Sequence, residues 1–224
     1  WLLQNGLTQT HQNNMGAFGG PDIITDGLVF AVNAASTRSY PGSGNTWYNL
    51  SGENNGTLVN NPTFNSNGWF DFDGVDDHVS MSVSSTYMTL AFWIKSEDTS
   101  NLMGIFDGSG AGNLDMYQNS SGKYYLYITN TDGTRTILIS SASVVQSNWY
   151  YIVVVFGSGY RKIYQNNTLV ASDTKTARPI TIFNMGQRDI YKLDGSISLC
   201  NIYNRALTTA EITQNYNAQK NRFI

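Results

Sequence analysis

Apolar and polar residues alternate along most of this chain in short runs, and turn residues cut the runs apart. Successive side chains of a strand point to opposite faces, so period-two alternation predicts half-buried strands. Residues 78–83 alternate in this way. In residues 88–95, Leu90, Phe92 and Ile94 share one face while Ala91 and Trp93 share the other. Both faces are apolar, which predicts a central strand covered on both sides. Residues 123–130 set Tyr125, Tyr127 and Thr129 opposite Tyr124, Leu126 and Ile128, and Asp132-Gly133 predicts a hairpin with its return strand over 134–140. Residues 28–32, 47–50, 57–59, 69–72, 149–156, 160–165, 168–172, 180–185 and 193–203 complete the strand-like runs.

One segment follows a helical rule instead. Thr208-Thr209-Ala210-Glu211 fits a capping box, in which the Thr hydroxyl and the Glu carboxylate satisfy each other's backbone donors. A helix is predicted over 209–219. About a dozen strands and one helix, with turns at no fixed spacing, predict an all-β fold. Its expected form is a two-sheet antiparallel jelly-roll sandwich with a short C-terminal helix. Residues 1–21 read as an N-terminal arm or linker, and residues 22–224 as a single domain. Trp1, Leu2 and Leu3 give the arm an apolar tip, which is expected to dock on a partner protein.

Composition narrows the classes. The chain has 224 residues, a net charge of -3 and 13% charged residues, about half the usual share. So few Lys and Arg argue against nucleic-acid binding. A hydrophobic content of 41% and 14 Tyr argue against disorder. No apolar run approaches the ~18–20 residues of a membrane span. Residues 1–4 lack the basic and long apolar regions of a secretory leader. The single cysteine, Cys200, allows no intrachain disulfide and reads as a small buried hydrophobe.

Three segments, in order, carry a resemblance. The first is Thr25-Asp26-Gly27-Leu28-Val29-Phe30-Ala31-Val32-Asn33, followed by Ser39-Tyr40-Pro41-Gly42 and Trp47-Tyr48-Asn49-Leu50. The second is Phe72-Asp73-Gly74-Val75-Asp76-Asp77-His78-Val79. The third is Leu193-Asp194-Gly195-Ser196-Ile197, running into Ile202-Tyr203-Asn204-Arg205-Ala206-Leu207 and the capping box. Together they resemble the laminin-G-like branch of the concanavalin A-like lectin/glucanase superfamily, over nearly everything from residue 22 onward. The opening Gly20-Pro21-Asp22-Ile23-Ile24-Thr25-Asp26-Gly27 is similar to that of tailed-phage chains. This resemblance implies a non-enzymatic virion structural protein: a head decoration, fibre or tail component at the virion surface, homo-oligomeric and held to other virion proteins by its arm. The alternative it implies is a carbohydrate-binding module or receptor-binding lectin domain recognising cell-surface glycans.

Candidate chemistry follows the same division. Glucanases of this superfamily carry a Glu-x-Asp-x-x-Glu strand, and glycosidase chemistry needs two facing carboxylates. This chain has three Glu, at 53, 97 and 211, none in such a run. His11 and His78 are the only histidines, and no Gly-x-Ser-x-Gly elbow accompanies them. Catalytic residues are therefore not assigned. Members of the laminin-G-like branch often bind Ca²⁺ at a sheet rim, which makes Asp73, Asp76, Asp77 and Asp194 the candidate Ca²⁺ ligands. Turn chemistry is the alternative for Asp73-Gly74 and Asp194-Gly195. A flexible Gly-rich loop is expected over 107–113. Asp107, Asn113, Asp115, Tyr117 and Arg188 are the candidate glycan-binding groups, because sugars bind through aromatic rings and precisely placed polar groups.

Overall fold

Gly74 and Gly133, each after an Asp, adopt positive φ, a conformation that a Cβ disfavours. Turns of this kind separate the strands in the computed structural model, which describes residues 22–52, 54–108 and 114–224. The strands in chain order begin with β1 (Leu28–Asn33), β2 (Thr46–Trp47), β3 (Gly56–Val59), β4 (Thr63–Asn65), β5 (Trp69–Asp73) and β6 (His78–Ser85). Next come β7 (Met88–Ser96), β8 (Met103–Gly108), β9 (Leu114–Gln118), β10 (Lys123–Thr129), β11 (Arg135–Ser143) and β12 (Trp149–Gly157). The last six are β13 (Tyr160–Gln165), β14 (Thr168–Asp173), β15 (Ile180–Met185), β16 (Gln187–Arg188), β17 (Tyr191–Lys192) and β18 (Asp194–Tyr203). Helix α1 (Thr209–Gln219) and a 3-10 turn over Lys220–Arg222 close the chain.

Two antiparallel sheets result. The first runs β14-β13-β12-β7-β18-β5-β4, with β1 also paired to β18. The second runs β11-β10-β9-β8-β15-β6-β3-β2, and β16 and β17 form a small separate hairpin. This is the predicted jelly-roll sandwich. The inner faces of both sheets interdigitate into one core. Phe92 of β7 meets Phe106 of β8 edge-on, with ring centroids 5.0 Å apart. Trp47, Tyr40, Phe64 and Phe70 form an aromatic cluster in the same core. Cys200 lies fully buried, and burial pushes its thiol pKa up.

The outer face of the first sheet is apolar too, as the sequence of β7 predicts. Trp93, Tyr151, Leu199 and Tyr203 are buried there with Ile212 of α1. Phe223 stacks on Trp93 with centroids 4.2 Å apart, and the Trp93 indole donates to Gln219 at 3.0 Å. Buried Asn215 ties the entering chain to the helix. It accepts from the Ile24 amide at 2.8 Å and donates to the Tyr203 hydroxyl at 3.0 Å, which in turn donates to the Ile24 carbonyl. No helix among the described residues is long and apolar enough to cross a membrane.

Most strands fall where alternation places them, and α1 spans the predicted residues. Three corrections concern the rest. The run 47–50 pairs only as β2, over Thr46–Trp47. Strands β4, β8, β9 and the β16–β17 hairpin were not expected. Asp107 and Gly108 were expected to open a flexible loop, yet they end β8, where Asp107 pairs with Asp115 and Gly108 with Leu114. Residues 1–21, including Trp1, Leu2 and Leu3, and residues 109–113, including Asn113, lie outside the described residues.

The capping box forms in full: Thr208 accepts from the Glu211 amide, and Glu211 accepts from the Thr208 amide at 2.7 Å. Arg205 adds a two-point ion pair to Glu211, at 2.6 and 3.1 Å. With the Arg205 bond the main cause, the Glu211 carboxyl falls from 4.5 to about 2. A depressed carboxylate contributes stability that is present above its unfolded value and is lost as pH falls through its folded value. Glu211→Gln is therefore expected to cost ~1–2 kcal/mol at pH 7 once solvent screening is allowed for. The difference from wild type should shrink between pH 4.5 and about 2, as read by urea denaturation at a series of pH values.

Candidate functional site

The outer face of the second sheet is built differently from that of the first. Leu114 and Met116 of β9 and Leu126 and Ile128 of β10 turn inward into the core. Alternation then sends Asp115 and Tyr117, and Tyr125 and Tyr127, outward. Strand register aligns them. Asp107 lies opposite Asp115, Asp115 opposite Tyr127, and Tyr127 opposite Ile137. The neighbouring row sets Tyr117 opposite Tyr125 and Tyr125 opposite Ile139. Tyr117 stacks on both Tyr125, at 5.1 Å between centroids, and Tyr127, at 5.5 Å. Burial, with a hydrogen bond to Tyr127, pushes the Tyr117 phenol pKa well above its ordinary value.

Arg188 reaches this face from the β16–β17 hairpin. Its guanidinium lies 5.2 Å from the Tyr117 ring, 5.7 Å from Tyr127 and 5.8 Å from Tyr191, within the range of cation–π attraction. Gly104 permits the approach. A Cβ there would sit 2.1 Å from the Arg188 amide nitrogen and 2.4 Å from the Tyr191 carbonyl oxygen. Arg135 of β11 closes over Tyr127 from the other side, 5.3 Å from the ring centroid. Both guanidiniums pair with Asp115, Arg188 at 3.4 Å and Arg135 closer. Burial, and then the nearby Asp115 charge, raise the Asp107 carboxyl pKa, against a lowering hydrogen bond from Asn184.

The fold therefore gathers four of the five candidate glycan-binding residues, Asp107, Asp115, Tyr117 and Arg188, on one face; Asn113 lies outside the described residues. Sequence reasoning missed Tyr125, Tyr127, Arg135, Asn184 and Tyr191. The shared strand face of Tyr125 and Tyr127 was visible in the alternation. Its solvent exposure was not, because the opposite face offered Tyr and Leu as well.

The candidate Ca²⁺ ligands divide. Carboxylate oxygens of Asp73, Asp76 and Asp77 come within 4.8 Å of one another. Asp194 is outside that group and faces Asp73 across the β5–β18 pairing. Two of the three carboxylates also serve the local backbone: Asp73 accepts from the Val75 amide at 2.8 Å, and Asp77 from the Asp73 amide at 3.2 Å. The turn chemistry proposed for Asp73-Gly74 is present. Asp73, Asp76 and Asp77 offer the hard oxygen donors that Ca²⁺ prefers, one atom each, and a bound Ca²⁺ would need the rest of its 6–8 ligands from elsewhere.

Asp76 is exposed and Asp77 is buried. Burial, then repulsion from Asp73, raise the Asp77 carboxyl pKa. A raised carboxyl contributes most below its unfolded value and opposes folding once ionised. Asp77→Asn is expected to raise the urea midpoint at pH 7, with a gain that fades as pH falls toward the carboxylate range. Gly104→Val is expected to lower stability by ~1–3 kcal/mol, the cost of forcing extra atoms into packed structure. Urea denaturation of the variant beside wild type checks it.

The comparisons agree with this architecture. The model of the concanavalin A-like lectin/glucanases superfamily matches residues 72–213, well over half of the chain. The chain belongs to that superfamily. Among solved structures, the botulinum neurotoxin serotype D binding domain superposes with a TM-score of 0.68 at 16% identity, covering 88% of this chain and 53% of that one. A Trypanosoma rangeli sialidase in complex with sialic acid gives 0.68 at 16% identity, covering 88% of this chain and 34% of the sialidase. The receptor-binding domain of a botulinum neurotoxin C/D mosaic gives 0.66 at 18% identity, covering 88% and 52%. The chain thus spans about half the length of the toxin domains and a third of the sialidase. At these identities the likeness is one of fold. No curated protein matched the sequence.

Proposed function

We propose that the tyrosine face of the second sheet binds carbohydrate, and that the chain is a non-catalytic recognition module. The observation that carries this reading is the stack of Tyr117 on Tyr125 and Tyr127, clamped by Arg188 beside Asp107 and Asp115. Saccharides present apolar C–H patches and rings of hydroxyls. Aromatic rings serve the first, and a few fixed carboxylates, amides and guanidiniums serve the second. The solved structures of similar fold include a sialidase bound to sialic acid and toxin receptor-binding domains, which supports a recognition role.

The side chains favour binding over hydrolysis. Glycosidases need one carboxyl to donate a proton and a second carboxylate free to attack or to activate water. Asp107 has a raised pKa, but Asp115 opposite is paired to two guanidiniums. Glu211 is the helix cap, and Glu97 pairs with Lys95 and accepts from Ser147.

A glycan array is expected to show binding, and titration of the best hit should show about a tenfold loss of affinity in Tyr127→Ala, equivalent to ~1.4 kcal/mol. Arg188→Ala should lose at least as much, while Leu169→Ala on the edge of the other sheet should bind as wild type. An array without hits, or unchanged binding in Tyr127→Ala, would overturn the reading. A virion protein that met its receptor through this face would unite both readings of the sequence. Mass spectrometry of purified particles tests that extension: stoichiometric copy number supports it and absence removes it.

A further inference from the structure

Strand register carries the Asp107–Asp115–Tyr127 line across the whole of the second sheet. Beyond Asp107 it pairs Asn184 of β15, then Ser80 of β6, Thr57 of β3 and Thr46 of β2. Beyond Tyr127 it ends at Ile137 of β11. The row thus takes one residue from each strand of the 8-stranded sheet. Directly paired residues share a face. Their strand neighbours Val79, Met185, Phe106 and Met116 turn into the core, so the row turns outward, and none of its members is buried. Neighbouring strands lie about 4.7–4.9 Å apart, which makes the row roughly 30 Å long.

The side chains of this row are unusual for an open sheet face. Exposed positions commonly carry Lys and Glu, and the row has neither. From Thr46 to Asp115 every member is short and polar. Such side chains lose little rotamer freedom when they are fixed by a ligand. The Thr46, Thr57 and Ser80 hydroxyls are bonded to no described residue. Arg188 borders the row on the Tyr117 side, and Arg135 borders it on the Thr129 side. Both guanidiniums already face the Asp115 carboxylate, and Asp107 adds a second carboxylate, so the row favours a neutral ligand over an acidic one.

We infer that the carbohydrate of this face is a linear chain of neutral pyranose units laid across the strands. Some units meet Asp107, Asp115 and Tyr127, and others meet Asn184, Ser80 and Thr57. This rests on the tyrosine face being the binding site, and it names the ligand class of that site. A terminal monosaccharide would reach only the few positions around Tyr127. A polymer repeats its hydroxyls along its length, and the row repeats hydrogen-bonding groups along its own, one for each strand from Thr46 to Tyr127.

Isothermal titration of the full chain with cellohexaose, laminarihexaose, mannohexaose, xylohexaose and hexagalacturonate, and with the disaccharide of each, tests it. At least one neutral hexasaccharide should bind about tenfold more tightly than its disaccharide, the worth of one or two further hydrogen bonds. Hexagalacturonate should bind more weakly than that hexasaccharide. Thr57→Val removes a hydroxyl at nearly constant volume, and Ser80→Leu fills the row; both positions are exposed, where substitutions rarely disturb a fold. The double variant should lose about tenfold in hexasaccharide affinity, narrowing the gap to the disaccharide, with an unchanged melting temperature. Equal affinity for hexasaccharide and disaccharide, hexagalacturonate binding as tightly as the neutral chains, or unchanged hexasaccharide affinity in the double variant would each overturn the extended chain. A Tyr127-dependent array hit with no hexasaccharide binding overturns the extended chain alone, and absence of binding by every sugar here and on the array overturns both readings.

Discussion

The pairing of β7 with β18 at the middle of the first sheet constrains the rest of the molecule. From Met88 to Ile94 every residue of β7 is buried, and from Gly195 to Tyr203 every residue of β18 is buried. One face packs on the second sheet and the other lies beneath α1 and Phe223. A strand covered on both faces has no cheap place for a charge. The low charged fraction of the sequence is thus a consequence of architecture. Where a charge is buried in this sheet, it is matched: Arg161 is fully buried and donates to both carboxylate oxygens of Asp173. Removing one partner of such a pair generally costs about 3–5 kcal/mol.

The second sheet is not constrained in this way. Its inner face shares the core, and among the described residues the β16–β17 hairpin rests on its outer face, over Gly104. Charges excluded from the first sheet can gather here. Arg135, Arg188, Asp107 and Asp115 do so around three tyrosines, and the hairpin fixes the direction from which Arg188 approaches. The rings anchor the cations, and the cations hold Asp115 between them. A chain poor in charge thereby acquires one polar, aromatic face with defined geometry.

Local rules were legible in the residues; relations between distant segments were not. Alternation placed most strands, and the Thr208–Glu211 box placed α1 because its donors and acceptors lie within one turn. Strands β8 and β9 were hidden because each flanks a Gly-rich stretch, and β8 carries a register shift between Gly104 and Phe106 that breaks the alternation. The choice of Asp107, Asp115, Tyr117 and Arg188 rested on a Gly-rich segment and a polar cluster far apart in sequence. Their union requires the β8–β9 register and the close approach at Gly104, neither of which a single sequence states. Among the acidic candidates, Asp73, Asp76 and Asp77 meet because one turn joins them. Asp194 belongs to another strand, and pairing opposite Asp73 does not bring its oxygens into their group.

The position of Arg222 has the same origin as the sheet's central constraint. One edge of β18 is held by β7 throughout. Along the other edge, β5 pairs with Asp194–Ile197 and β1 with Leu199–Tyr203, so the partner changes at Ser198. Two strands cannot share one edge without a gap where they part, and backbone groups at that gap need partners from elsewhere. The Ala34 amide donates to the Ser198 carbonyl, and the Ser198 hydroxyl and Arg222 both donate to the Gly68 carbonyl, while Gly68 has no room for a side chain, since a Cβ would lie 2.5 Å from that of Ala35. An arginine reaches this gap because the chain turns back over the sheet after α1. It brings a full positive charge to a place that needed only hydrogen-bond donors.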